Sequence, residues 1–245
     1  LPLLSHWGYN ISMISLPQSA ASVINTLHDA GFEAYAVGGS IRDLLLGMET
    51  KGWDFTTNAT PEEILALFPD SFYDNLFGTV GIKIRKSFDT AQDEQKAEIE
   101  DIYEITTYRS EEGYEDHRHP DKISWGKTLQ EDLARRDFTI NAIAFDGKEL
   151  IDPYDGQKDL HNKCIRTVGA ATERFAEDAL RMLRAVRFAA RLGFSIEDDT
   201  AKAITLHAKS LTKISAERIR DEFFKILTAT HAADAVLVLK NLGLL

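Results

Sequence analysis

The 245-residue chain is 44% hydrophobic and 27% charged, an ordinary globular composition with room for one large or two smaller domains. No apolar run approaches the roughly 20 residues that cross a bilayer, and residues 1–16 lack the basic segment and apolar core of a signal peptide, so neither a membrane span nor a leader is expected. The net charge of −11 argues against broad non-specific nucleic-acid affinity without excluding a local basic face, and the single cysteine, Cys164, excludes an internal disulfide and a cysteine zinc site and fits a reducing compartment.

Residues 15–30 carry Val23, Ile24 and Leu27 at helical spacing and end at Gly31. Residues 34–37 form a short apolar run, as a buried strand would. Gly38 and Gly39 allow a sharp turn with no side chain over it. Ser40 is read as the N-cap and Gly47 as the stop of the helix between them. Glycines feeding a helix N-terminus form a phosphate cradle, because free N–H groups and the helix dipole point at the anion. Arg42 is placed in the first turn, where the dipole does not favour a cation, and this points to a ligand. On the next strand, alternation puts Trp53 and Phe55 toward the core and Gly52, Asp54 and Thr56 on the other face. A carboxylate there, beside a phosphate cradle, suggests a metal site for a nucleotide. Thr60-Pro61-Glu62-Glu63 then supplies a cap, a first-position proline and a glutamate three residues after the cap.

Residues 71–75 and 79–85 read as strands with Phe77-Gly78-Thr79 at the turn, and the polar residues 87–96 as a loop. Residues 98–108 read as a long strand, with Ile102, Glu104 and Thr106 on one face and Tyr103, Ile105 and Thr107 on the other. Residues 109–127, which include Arg118-His119-Pro120, read as a surface loop whose histidines lack a third metal ligand. Residues 129–136 are helical, residues 143–145 start a strand, and Asp146-Gly147 makes a hairpin turn. Residues 152–156 mark a boundary, beyond which the pattern is helical: 175–192, 196–206, 215–227 and 232–239. Within 175–192, Arg181, Arg184, Arg187 and Arg191 fall on about a third of the circumference, opposite Met182, Leu183, Val186, Ala189 and Ala190. Taken alone, that is an amphipathic helix with a solvated basic face.

Three motifs stand in order along the chain. The first is Gly38-Gly39-x-x-Arg42-Asp43 with Trp53-Asp54 and Asn58-Ala59-Thr60-Pro61. The second is Arg135-Arg136-Asp137-Phe138-Thr139-Ile140-Asn141-Ala142. The third is Glu177-Asp178-x-x-Arg181-x-x-Arg184-x-x-Arg187-Phe188. Together they resemble the class II tRNA nucleotidyltransferase and bacterial poly(A) polymerase family, which includes the CCA-adding enzymes. The resemblance implies an α+β fold. A polymerase β-like nucleotidyltransferase head, with a mixed sheet and helices, would occupy residues 1–150. An all-α neck and the start of a body would occupy 151–245, with the C-terminal body and tail absent. It further implies a cytoplasmic, RNA-binding transferase that adds CTP- and ATP-derived nucleotides to the 3′ end of tRNA without a template. Mg2+ would be the cofactor, with no DNA or membrane partner. The alternatives are a poly(A) polymerase, or a catalytically defunct nucleotide- or RNA-binding module of the same fold.

Carried over by the resemblance, Asp54 is the catalytic metal ligand, and Gly38, Gly39 and Arg42 face the triphosphate. Arg135 and Arg136, in one motif with Asp137, suit phosphate contacts through bidentate guanidinium groups. Asp178 and Arg181 would read the base edge of CTP or ATP, and Arg184 and Arg187 would hold the triphosphate or orient that pair. The family carries an Asp-x-Asp pair whose first position is Gly52 here, so weakened metal binding and turnover are expected. Glu104 is either a compensating carboxylate or a strand-face residue paired with an arginine.

Overall fold

The computed structural model describes residues 15–50, 52–73, 78–85, 99–112, 122–126 and 128–245. The readings of 87–96 as a loop, of Phe77 at a turn and of Arg118-His119-Pro120 lie outside these residues. The chain divides into two compact units, Leu1–Ser110 with Ser124–Leu133 and Ile143–Ile151, and Glu111–Ile123 with Ala134–Ala142 and Asp152–Leu245.

In chain order the first unit brings α1 (Gln18–Asp29), β1 (Ala34–Val37), α2 (Gly39–Leu45), β2 (Asp54–Thr57), α3 (Pro61–Leu67), β3 (Ser71–Tyr73), β4 (Thr79–Arg85) and β5 (Ile99–Thr107). β6 (Arg109–Glu112) and β7 (Lys122–Trp125), each divided between the two units, follow, then α4 (Leu129–Ala134), β8 (Ala144–Phe145) and β9 (Leu150–Ile151). Seven strands form one sheet in the order β3-β4-β5-β2-β1-β8-β9. It is mixed: β2 runs parallel to β5, while β1 is antiparallel to both β2 and β8. Alternation along β5 is as the sequence implies, with Tyr103, Ile105 and Thr107 buried and Ile102 and Glu104 exposed. α1 buries Ala20, Val23, Ile24 and Leu27, the three- and four-residue spacing of a core-facing stripe. The reading of 109–127 as a loop is corrected at both ends. β6 and β7 pair in a two-stranded sheet of their own.

From Asp152 onward the second unit is helical apart from one short pair of strands: α5 (Gly156–His161), β10 (Cys164–Ile165), α6 (Ala171–Glu177), α7 (Leu180–Leu192), β11 (Ser195–Ile196), α8 (Asp198–His207), α9 (Ala216–Leu227) and α10 (Ala232–Asn241). β10 and β11 pair in parallel over two residues each, a feature the helical reading of 151–245 lacks. The single helix read over 175–192 is in fact two. Asp178 takes extended backbone, φ −142° and ψ 104°, and its side chain accepts the Leu180 N–H at 3.0 Å. An aspartate side chain that bonds a nearby backbone N–H competes with helical continuation.

At the start of α3, Thr60 accepts the Glu63 N–H while Glu63 accepts the Thr60 N–H, a complete capping box. Thr60→Ala should therefore lower stability by about 1 kcal/mol in urea unfolding at neutral pH. An unchanged midpoint would show that the box contributes nothing.

Candidate active site

Sheet register places the residues of the first motif. Val37, the last residue of β1, lies opposite Asp54, the first residue of β2, so the turn at Gly38 begins beside Asp54. Gly38 has φ 74° and ψ −137°, a conformation in which an L side chain is strained. It also replaces Ser40 as the N-cap of α2, because the Ser40 hydroxyl donates instead to the Val37 carbonyl at 2.9 Å. Arg42 lies in the last turn of α2 rather than in the first. It is 2% exposed, and its guanidinium holds Asp43 through Nε and Nη2, each 2.8 Å from Oδ1. A Cβ added at Gly39 would lie 3.3 Å from Arg42 Nη2, so that glycine makes room for the guanidinium.

Asp54 lies opposite Glu104 on the neighbouring parallel strand. Partners in register share a face about 4.8 Å apart, and both residues are exposed. Gly52 departs from the sequence reading. It stands before the strand with φ 66°, and its N–H donates to Asp101 Oδ2 at 2.9 Å. Gly52 and Asp54 therefore do not share a strand face, because the strand begins at Asp54. A Cβ at Gly52 meets nothing within 4 Å, so the cost of a side chain there is the left-handed backbone, about 1 kcal/mol and least for Asn and Asp. Among the described residues, no group of three or more His, Cys, Asp or Glu is placed to hold a metal ion.

The other motifs lie in the second unit. Asp137 is buried, and its two oxygens are divided between partners. Oδ1 accepts the Phe138 N–H at 2.8 Å and Asn141 Nδ2 at 3.0 Å, while Oδ2 accepts Arg184 Nε at 2.8 Å and Nη2 at 2.5 Å. Burial opposes the charge, yet the Arg184 guanidinium, the Asn141 amide and nearby Arg181 outweigh it and hold the carboxyl down at about 2. The backbone around Asp137 is tied to a second segment, with Thr139 N–H donating to Arg166 O at 2.9 Å and Val168 N–H to Asp137 O at 3.1 Å. Arg136 Nη1 reaches the Asn141 carbonyl at 3.5 Å.

The arginines of α7 each reach a different place. Arg181 Nη1 pairs with Glu177 at 2.5 Å, and its Nη2 donates to the Arg135 carbonyl at 3.2 Å. Arg174 pairs with the same Glu177 at 2.6 Å and donates to the Ala134 carbonyl at 3.2 Å. Arg184 takes Asp137, and Arg187 takes Glu222 at 2.6 Å while its guanidinium carbon lies 4.3 Å from the centre of the Phe188 ring. At Arg181, Arg184 and Arg187 the simple picture of a solvated basic face is therefore replaced by ion pairs. Asp178 is bound through both oxygens by Arg218, Nη2 to Oδ2 at 2.8 Å and Nη1 to Oδ1 at 3.4 Å. Sequence reasoning assigned no role to Asn141, Arg218 or Glu222. A signal was present for the last two, which stand four residues apart on one face of α9.

Residues 34–166 match the family model of the poly A polymerase head domain, and residues 193–245 match the probable RNA and SrmB-binding site of polymerase A. The chain belongs to the tRNA nucleotidyltransferase and poly(A) polymerase family. The CCA-adding enzyme of Geobacillus thermodenitrificans (strain NG80-2) is 44% identical over 229 residues, which are 93% of this chain and 53% of that protein. A crystal structure of the Bacillus stearothermophilus CCA-adding enzyme in complex with CTP matches with a TM-score of 0.80 and 39% identity, over 93% of this chain and 52% of that one. A tRNA nucleotidyltransferase complexed with a primer tRNA and an incoming ATP analog matches with a TM-score of 0.72 and 28% identity, over 90% of this chain and 60% of that one. The chain thus spans about half the length of the curated relatives it matches. No described helix is long and apolar enough to cross a membrane.

The Asp137 carboxyl has a pH consequence. Its pKa is lowered from 3.8 to about 2, so the stability it adds is complete above about pH 4 and is lost as pH falls through about 2. The contribution is roughly 2 kcal/mol. The stability difference between wild type and Asp137→Asn should shrink as pH falls from 5 to about 2 in urea unfolding. A difference that stays constant over that range would contradict this placement of the charge.

Proposed function

We propose that the chain is the nucleotidyltransferase part of a CCA-adding enzyme, transferring CMP and AMP units from CTP and ATP to the 3′ end of tRNA. The observation that carries this reading is the register of the first unit's sheet, where Asp54 stands opposite Glu104 and next to the Gly38 turn. Relatives whose structures hold CTP, or a primer tRNA with an ATP analog, support the choice of substrates. The head is proposed to span residues 1–150 and the helical neck with the start of a body 151–245. A tRNA substrate fits a cytoplasmic location.

Two carboxylates in register on one face, with open coordination left for phosphate oxygens and water, suit Mg2+. Asp54 and Glu104 would hold it, and bound there it would neutralise charge developing on the phosphoryl oxygens during transfer. The residues of the chain divide the remaining work. Backbone N–H groups at Gly38 and Gly39 receive triphosphate oxygens, while Arg42 and Asp43 keep the turn in shape. Arg135 and Arg136 contact phosphates, and Asp137 anchors their turn to Arg184. Asp178 accepts from the exocyclic amine that cytosine and adenine share, and Arg181 donates to the adjacent ring acceptor. Arg184 and Arg187, each already ion-paired, orient these groups and so act with them on the nucleotide. With Gly52 in place of a second carboxylate, turnover is lowered.

One assay tests the reading. A tRNA lacking its terminal CCA is incubated with magnesium, CTP and ATP, and the products are sized on a sequencing gel. Asp54→Asn should lower addition about a hundredfold or more and Glu104→Gln at least tenfold, since loss of even a residue supporting a metal ligand costs 10–100-fold. Gly52→Asp should raise it. Addition by Asp54→Asn at the wild-type rate would overturn the assignment of the site. Long A-only products would replace CCA addition with poly(A) synthesis.

A further inference from the structure

We propose that Arg218 is a positioning residue for nucleotide selectivity, fixing the plane of the Asp178 carboxylate so that one acceptor position faces the base. This role presupposes that Asp178 reads the base edge, as proposed above. The torsion that turns an aspartate carboxylate is broad and roughly two-fold, so a single hydrogen bond leaves the group free to rotate. Arg218 grips both oxygens, with Nη2 2.8 Å from Oδ2 and Nη1 3.4 Å from Oδ1. The Leu180 N–H adds a third contact, on Oδ1 at 3.0 Å. An ionised carboxylate offers about four acceptor positions. With these three contacts in place, the position that remains is on Oδ2, enough for one N–H of an exocyclic amine.

The helix that carries Arg218 makes a second ion pair. Glu222, one turn further along α9, accepts Arg187 at 2.6 Å. α9 is thereby tied by two ion pairs of opposite sense, to Asp178 just before α7 through Arg218 and to Arg187 within α7 through Glu222. The Arg218 and Asp178 side chains are only 24% and 15% exposed, so this forked contact is more than a surface ion pair of negligible worth. A lysine at 218 would keep the charge but lose the fork.

The test is calorimetric titration of the full chain with CTP, ATP, UTP and GTP in turn, in the presence of magnesium, for wild type, Arg218→Gln and Arg218→Lys. Circular dichroism and thermal melting check that each variant is folded. Wild type should prefer CTP and ATP over UTP and GTP. Arg218→Gln should cut that preference at least tenfold, and Arg218→Lys should fall between. A purely structural role would weaken all four nucleotides alike and leave the ratio unchanged, and that result in a folded Arg218→Gln would overturn the proposal. Should Arg218→Gln fail to fold, Arg218→Lys decides, and a wild-type ratio there overturns it equally. Wild type without any preference would sink the base-reading role of Asp178 itself, and the positioning role with it.

Discussion

Arg184 reaches out of α7 to place two hydrogen bonds on Asp137, a buried carboxylate that must have a cationic partner to stay charged. The second unit depends on this contact. An exposed ion pair such as Asp70–Arg85 is screened by solvent and adds little. Removing one partner of a buried pair costs about 3–5 kcal/mol, because the other is left uncompensated. Asp137 therefore cannot be treated as one charge among many. Its backbone carbonyl and the following N–H groups tie the Arg135-Arg136-Asp137 turn to residues 166–168, and Phe138 beneath it meets Phe188 of α7 edge-on with ring centres 5.7 Å apart.

The arginines at 181, 184 and 187 follow from the same geometry. They recur every three residues and so line one side of α7, where each meets a different acid: Glu177, Asp137 and Glu222. Arg181 and Arg174 also donate to the carbonyls of Arg135 and Ala134, which a helix end leaves without intrahelical partners. The first unit is organised by different means. There pairing register decides which carboxylates face one another, Asp54 at the start of β2 opposite Glu104 within β5. A one-residue slip of β5 against β2 would turn Glu104 to the opposite face.

Much of this was legible in the sequence because it is local. Thr60-Pro61-Glu62-Glu63 announced its capping box, and alternation along residues 102–107 separated Glu104 from the buried Tyr103 and Ile105. Errors arose where a local preference met a non-local contact. Ser40 is a good capping residue by type, yet its hydroxyl goes to Val37 and Gly38 occupies the cap. Gly52 alternates with Asp54 in sequence, but a positive φ and the Asp101 carboxylate place it in a bend before the strand. Asp178 looked like one residue of a continuous helix, and it instead ends α6 in extended backbone, its side chain accepting the Leu180 N–H at the start of α7. Arg218 went unassigned because its partner lies 40 residues away, and no periodicity reports a pairing at that distance.

The contact between Asp137 and Arg184 is measured directly by a double-mutant cycle. Wild type, Asp137→Ala, Arg184→Ala and the double variant are unfolded in urea at pH 7, and the coupling free energy is taken from the four stabilities. The structure predicts a coupling of about 2 kcal/mol or more, with each single variant strongly destabilised and the second change adding little to the first. A coupling below about 0.5 kcal/mol, with the two single effects simply additive, would contradict it.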